Sequence, residues 1–208
     1  LFSTPALFQE NVKNYYRLVT GLDEAVGKVV DKLKALHLDE NTIVIYTSDH
    51  GFSLGEHGMM GKWYGYEKGI HVPLIINDLR ANSKWRNIKA EQLALNIDIA
   101  PTILGMAGVA TPAEMQGMDL FQVVQKKKPE RKYFFYEHTV FASPMLPKVE
   151  GLISKDFKYF NYTEHQFESL YDTKKHPEET KDVARDKQYQ KKLSKIRALY
   201  LSEKRNIE

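Results

Sequence analysis

Thr42-Ile43-Val44-Ile45-Tyr46-Thr47-Ser48-Asp49-His50-Gly51 joins an apolar run to a polar end. Its first six residues are β-branched or aromatic, the pattern of a central strand buried on both faces. Asp49 and His50 stand at the carboxyl end of that strand, where ligands gather in open α/β sheets. On the amino-terminal side, apolar residues recur in steps of three and four from Val12 through Val19, Leu22, Val26 and Val29 to Leu36. That spacing predicts one long amphipathic helix over 11–37. Gly21 and Gly27 lie inside it, each costing about 1 kcal/mol of helix propensity, so close packing against them is expected. On the carboxyl side, Val72-Pro73-Leu74-Ile75-Ile76 predicts a second strand. The 21 residues from Ser48 to Lys68 between the two are too many for a mere connector.

Farther along, Leu93 to Asn96 reads as a third short strand. Asp98-Ile99-Ala100-Pro101 reads as a cap opening a helix that ends at Gly105 or Gly108, and Asp119 to Gln125 as a brief helix. Lys126-Lys127-Lys128-Pro129-Glu130-Arg131-Lys132 is a basic, solvated linker. Beyond it the aromatic runs Tyr133–Tyr136, Gly151–Ser154, Phe157–Tyr162 and Phe167–Tyr171 predict an antiparallel meander. Tyr189, Leu193, Ile196 and Tyr200 then mark a final helix from about Asp186. The expected architecture is α/β over residues 1–128, then a small antiparallel α+β subdomain over 129–208.

The chain has 208 residues, 42% hydrophobic and 27% charged, which supports a core and excludes disorder as the dominant state. No window approaches the roughly 18 apolar residues of a spanning helix, so no membrane partner is expected. A net charge of +3 is too small to indicate a nucleic-acid surface. The cysteine count is zero, which removes disulfides, thiolate metal sites and cysteine nucleophiles. Leu1 stands where a start methionine would, which suggests a piece of something longer.

Asp49 offers a hard oxygen to Ca²⁺ or Mg²⁺, and His50 an imidazole that can bind a metal or an oxyanion. Equally, Asp49 can cap the loop while His50 packs. Lys62, in Gly61-Lys62-Trp63, can reach an oxyanion as a point charge or stay solvated beside an anchoring Trp63. Three of the seven histidines, His50, His57 and His71, fall within 22 residues, but their spacing fits no helical zinc motif. Glu67 and His71 suit structural ties between the loop and the next strand.

These residues, with Tyr16…Gly21-Leu22-Asp23-Glu24-Ala25-Val26-Gly27, Gly55-Glu56-His57-Gly58, Gly61-Lys62-Trp63-Tyr64-Gly65-Tyr66-Glu67, His71–Ile76, Asp98–Leu104 and Leu170-Tyr171-Asp172…Pro177-Glu178-Glu179, resemble the sulfatase family of the alkaline-phosphatase superfamily. The resemblance runs from about Tyr15 to Ala184. It implies a sheet sandwiched by helices and the hydrolysis of sulfate esters. It also implies a divalent cation, usually Ca²⁺, with Asp49 and His50 as ligands, although many members carry Asn at the second position. Lys62 matches the lysine that contacts the sulfate near the leaving-group oxygen, and His57 lies near the substrate mouth.

In that family a formylglycine, made from Cys or Ser in C/S-x-P-x-R, attacks sulfur as its hydrated gem-diol. No such segment occurs here: Ser3-Thr4-Pro5-Ala6-Leu7 lacks the arginine and Lys127-Lys128-Pro129-Glu130-Arg131 lacks the nucleophile. The family's paired amino-terminal aspartates also have no counterpart. The resemblance therefore implies the carboxyl-terminal part of a sulfatase, inactive alone, that partners a missing amino-terminal part and a sulfated small molecule or glycan. An exposed sheet edge would favour self-association. A periplasmic, secreted or lysosomal setting follows from the family alone. A phosphate or phosphonate ester hydrolase of the same superfamily, or a non-catalytic domain binding sulfated glycans or a partner, is the alternative. Specificity is expected from variable segments such as Phe141 to Val149. Asn161-Tyr162-Thr163 is a glycosylation sequon placed unfavourably on a strand.

Overall fold

The computed structural model describes residues 3–79, 87–139 and 146–207. The chain folds as two compact units, one of residues 1–62 and 68–88, the other of 63–67 and 89–208. Residue 128 lies inside the second.

In the first unit, α1 (Pro5–Ala35) is one long helix. Thr4 caps it, its hydroxyl accepting from Leu7 N at 3.2 Å, and Pro5 takes the first turn, where its missing N–H costs nothing. The helix ends before Asp39–Asn41, which form a 3₁₀ turn, and Leu36 N bonds back to Lys32 O. The apolar stripe is real but uncovered: Tyr16, Leu18, Val19, Leu22 and Val29 are exposed and no α1 residue is buried. The packing expected at Gly21 and Gly27 is likewise not found among the described residues, none of which would place an atom within 4 Å of a Cβ at either.

β1 (Ile43–Thr47) and, beyond β2 (Ser53–Leu54), β3 (Met60–Gly61) and the single turn α2 (Glu67–Ile70), β4 (Leu74–Asp78) form an antiparallel pair. Ile45 faces Ile76 and Thr47 faces Leu74. All five β1 residues are half-buried, so burial on both faces is not realised among the described residues. An apolar run reveals that a strand can be covered, not which chain covers it.

In the second unit, the expected strand at Leu93–Asn96 is absent: the chain passes there into a 3₁₀ turn at Asn96–Asp98 and then α3 (Ile99–Met106). Asp98 does not cap α3 with its side chain. α4 (Leu120–Val124) is capped by Asp119, whose Oδ1 accepts from Phe121 N at 2.9 Å. The meander then follows as β5 (Tyr133–His138), β6 (Val149–Ser154), β7 (Phe157–Tyr162) and β8 (Phe167–Asp172), each antiparallel to the next. α5 (Gln190–Ile207) closes over it after a 3₁₀ turn capped by Asp186. Leu152, Tyr159, Leu170, Val183, Tyr189, Leu193 and Tyr200 make the core, with Phe135 stacked on Tyr200 at 5.7 Å. The predicted 4, 3, 4 spacing of Tyr189, Leu193, Ile196 and Tyr200 is what points that face of α5 inward. Residues 141–145 of the anticipated specificity segment lie outside the described residues. Among the described residues no helix is long and apolar enough to cross a membrane.

Two buried ionic groups fix the second unit. Asp98, wholly buried, receives Leu95 N at 2.7 Å, Met118 N at 2.8 Å, and both Arg131 nitrogens at 2.7 and 2.8 Å. Lys158, 2% exposed on β7, bonds Glu67 Oε2 at 2.6 Å and lies 2.6 Å from Glu179 Oε1, a carboxylate equally buried. The second contact is close but poorly aligned for a hydrogen bond, so it acts as an ion pair. Glu179 Oε2 also accepts from Glu67 N at 2.7 Å. Residues 63–67 are therefore strapped to the meander, with Tyr66 edge-on to Tyr171 at 5.7 Å. Gly65 fits only because it lacks a Cβ, which would come within 2.6 Å of the Phe160 ring. Glu67 thus serves as a structural tie.

Candidate active site

The site grows from the end of β1. Beyond Thr47 the chain turns sharply: Ser48 Oγ donates to His50 O at 3.1 Å, and Asp49 Oδ1 accepts His50 N at 3.0 Å. Gly51 N reaches Gly69 O at 2.9 Å, so closely that a Cβ at Gly51 would run into the Lys68 carbonyl. Only glycine allows the loop to lie against α2.

β2 and β3 then pair, Ser53 opposite Gly61 and Leu54 opposite Met60, and the chain doubles back. The hairpin holds four residues in left-handed backbone: Gly55 (φ 116°), His57 (φ 56°), Gly58 (φ 70°) and Gly61 (φ 95°). Glycine tolerates this without strain, which explains the spacing of Gly55, Gly58 and Gly61. Glu56 Oε2 accepts Leu54 N at 2.6 Å and ties the tip.

This doubling returns Lys62, twelve residues later, onto His50: Nζ lies 3.1 Å from His50 Nε2. His50 Nδ1 lies 2.9 Å from Gly51 O, a pure acceptor, so Nδ1 carries the proton. Nε2 then presents its lone pair to the Lys62 ammonium. Asp49 Oδ2 stands 3.6 Å from the same Nε2. Desolvation, the largest single influence on the Asp49 carboxyl, pushes its pKa up. The His50 ring, the amides of Asp49 and His50, and Lys62 together outweigh it and hold the pKa below its ordinary value. Asp49 is thus an anion at neutral pH, with its side chain 83% exposed.

The structure brings together three of the four expected residues, Asp49, His50 and Lys62, at the base of the hairpin. His57 sits at its tip, half-buried. A carboxylate and an imidazole lone pair suit a divalent cation chemically, and Nδ1–H donated to a carbonyl is how metal-binding histidines are oriented. Ca²⁺ takes about 6–8 oxygen ligands. Among the described residues no group of three or more His, Asp or Glu side chains could hold a metal. The pair fits part of a coordination sphere and cannot complete one.

The family described as N-sulphoglucosamine sulphohydrolase, C-terminal, matches residues 55–206. An N-acetylglucosamine-6-O-sulfatase of Bacteroides thetaiotaomicron is 33% identical over 92% of this chain, which spans 35% of its length. A structure solved in complex with its substrate D-glucosamine-2-N,6-O-disulfate is 29% identical over 98% of this chain, with a TM-score of 0.84. A phosphonate monoester hydrolase from Silicibacter pomeroyi is 25% identical over 99% of it, with a TM-score of 0.83. This chain spans 43% of each of those two structures. With its sulfatase-like α/β fold and the matched 55–206 segment, the chain belongs to the sulfatase family, as a member of its N-sulphoglucosamine sulphohydrolase carboxyl-terminal group.

Proposed function

We propose that this chain supplies one corner of a sulfuric ester hydrolase active site. The observation that carries the reading is the convergence of Asp49, His50 and Lys62, with Lys62 Nζ 3.1 Å from His50 Nε2. Asp49 and His50 would hold a divalent cation, Ca²⁺ by its fit to hard carboxylate oxygen, and the cation would neutralise sulfate oxygens when bound. Lys62 is an ammonium on a short hairpin. It stabilises negative charge that develops on the leaving oxygen as the S–O bond breaks, a role worth about two to four kcal/mol for a well-placed donor. His57, at the hairpin tip, meets the non-reacting part of the substrate. The substrate class is a sulfated saccharide, by likeness to relatives named for such substrates.

The attacking group, formylglycine by family resemblance, is not in this chain, which holds no C/S-x-P-x-R segment. The remaining ligands and the nucleophile come from polypeptide corresponding to the rest of the sulfatase relatives. The uncovered apolar stripe of α1 suits docking of that polypeptide, or self-association without it. An extracytoplasmic location accompanies the family resemblance. The second reading, a phosphonate ester hydrolase, is favoured by the TM-score of 0.83 to one such enzyme.

The test compares aryl sulfate with aryl phosphonate hydrolysis by the longest polypeptide that the reading frame encodes, by this chain alone, and by the Lys62→Ala variant. The proposal expects aryl sulfate to be preferred, this chain alone to be inactive, and Lys62→Ala to lower kcat by about 10²–10³. Preference for the phosphonate supports the second reading. Turnover by this chain alone, or full activity without Lys62, sinks the assignment.

A further inference from the structure

Lys126, Lys127 and Lys128 take no part in the site at the end of β1, yet they line a cavity of about 500 Å³ with Gln92, Val123 and Glu130. Their backbone is fixed. α4 ends at Val124 and the chain turns back with Lys126 in left-handed conformation (φ 59°). Lys126 N bonds Val123 O at 2.9 Å, and Lys127 N and Lys128 N reach Gln122 O at 2.9 and 3.3 Å. Three exposed ammonium groups therefore leave one rigid turn together. The acid in the lining, Glu130, is matched by Lys155 at 3.1 Å, so the excess charge of the three lysines stands. The cavity thus offers three cations for anionic oxygens. A sulfated sugar presents several sulfates to them at once; an inorganic anion such as sulfate presents one.

We propose that this cavity binds a sulfated saccharide, with Lys126, Lys127 and Lys128 on its sulfate groups. The choice of ligand class rests on the functional reading above; the anion-binding character rests on the lysines. Calorimetry of this chain with a heparin tetrasaccharide provides the test, with an unsulfated hyaluronan tetrasaccharide and sodium sulfate at matched ionic strength as comparisons. The heparin fragment is expected to bind and the two comparisons to bind far more weakly. The combined variant Lys126→Asn, Lys127→Gln and Lys128→Gln should bind about tenfold more weakly or worse, because each exposed charge contact is worth a factor of about two to five. Asparagine at 126 keeps the left-handed turn accessible, and unchanged far-UV circular dichroism checks that the fold is intact. No binding of the tetrasaccharide, equal binding of hyaluronan, or an unaltered affinity in the lysine variant overturns the proposal. Lysine-dependent binding in a polypeptide that hydrolyses no sulfate ester supports this site and sinks the functional reading instead.

Discussion

Replacing Arg131 by methionine removes the side-chain cation bonded to the wholly buried Asp98 carboxylate. Asp98 has no exposed side-chain surface and Arg131 only 12%. In the unmodified chain the carboxylate takes four hydrogen bonds, two from backbone amides and two from one guanidinium in fork geometry. The variant keeps the amides and loses the charge partner, so Asp98 is left as an uncompensated buried anion. Breaking such a pair costs about 3–5 kcal/mol, a large part of the roughly 5–15 kcal/mol that holds a domain folded. The sign with pH follows from the carboxyl group. Burial, the largest influence, raises the Asp98 pKa, but the Arg131 and amide hydrogen bonds outweigh it and leave the pKa lowered. A depressed folded pKa gives stability that is present above the unfolded value, about 3.9, and is lost as pH falls through the folded value. Without Arg131, burial acts unopposed by charge and protonation relieves the variant. Urea unfolding followed by circular dichroism should therefore show the full difference at pH 7 and a smaller one below pH ~4. A loss under about 1 kcal/mol at neutral pH, or a gap that stays constant into acid, would refute the reasoning.

Lys158→Met should destabilise the second unit by about 3–5 kcal/mol, because it strands the buried Glu179 carboxylate; in the same urea assay, the double variant Lys158→Met with Glu179→Gln should lose less than the sum of the two single changes. At the site itself, under the proposed ligand role of His50, Lys62 Nζ at 3.1 Å would compete with a cation for the Nε2 lone pair. Lys62→Met should then raise the Ca²⁺ affinity of this chain by about two- to fivefold, read from the ¹⁵N shift of His50 Nε2 during titration; an unchanged or weakened response would show that His50 is not a ligand.

What could be read from sequence was what neighbours in sequence determine. The four aromatic runs of the meander alternate with turns, so β5 to β8 appear where the pattern places them, and the inward face of α5 follows from helical spacing alone. The direction of β1 against β4 could not be read, because an apolar run is the same whether its partner is parallel or antiparallel. Asp98 opens a Pro-containing helix and so resembles a cap, but its partner, Arg131, lies 33 residues away in the most polar segment of the chain. Nothing local distinguishes Arg131 from Lys132 beside it; the fold selects the one that reaches a buried carboxylate.

Lys158 did leave a signal. A lysine inside Phe157-Lys158-Tyr159-Phe160 on a strand covered on both faces must meet an acid or not ionise, and Glu179, four residues before the buried Val183, was available to meet it. The same reasoning separates the two clusters by purpose. Ionic groups that lock the fold, Asp98 with Arg131 and Lys158 with Glu179, are withdrawn from water and held by several bonds. Asp49 is charged, 83% exposed and joined by a short bond to the amide of its own turn. A carboxylate kept ionised in the open, with an imidazole and an ammonium beside it, has the exposure that the proposed ligand role requires.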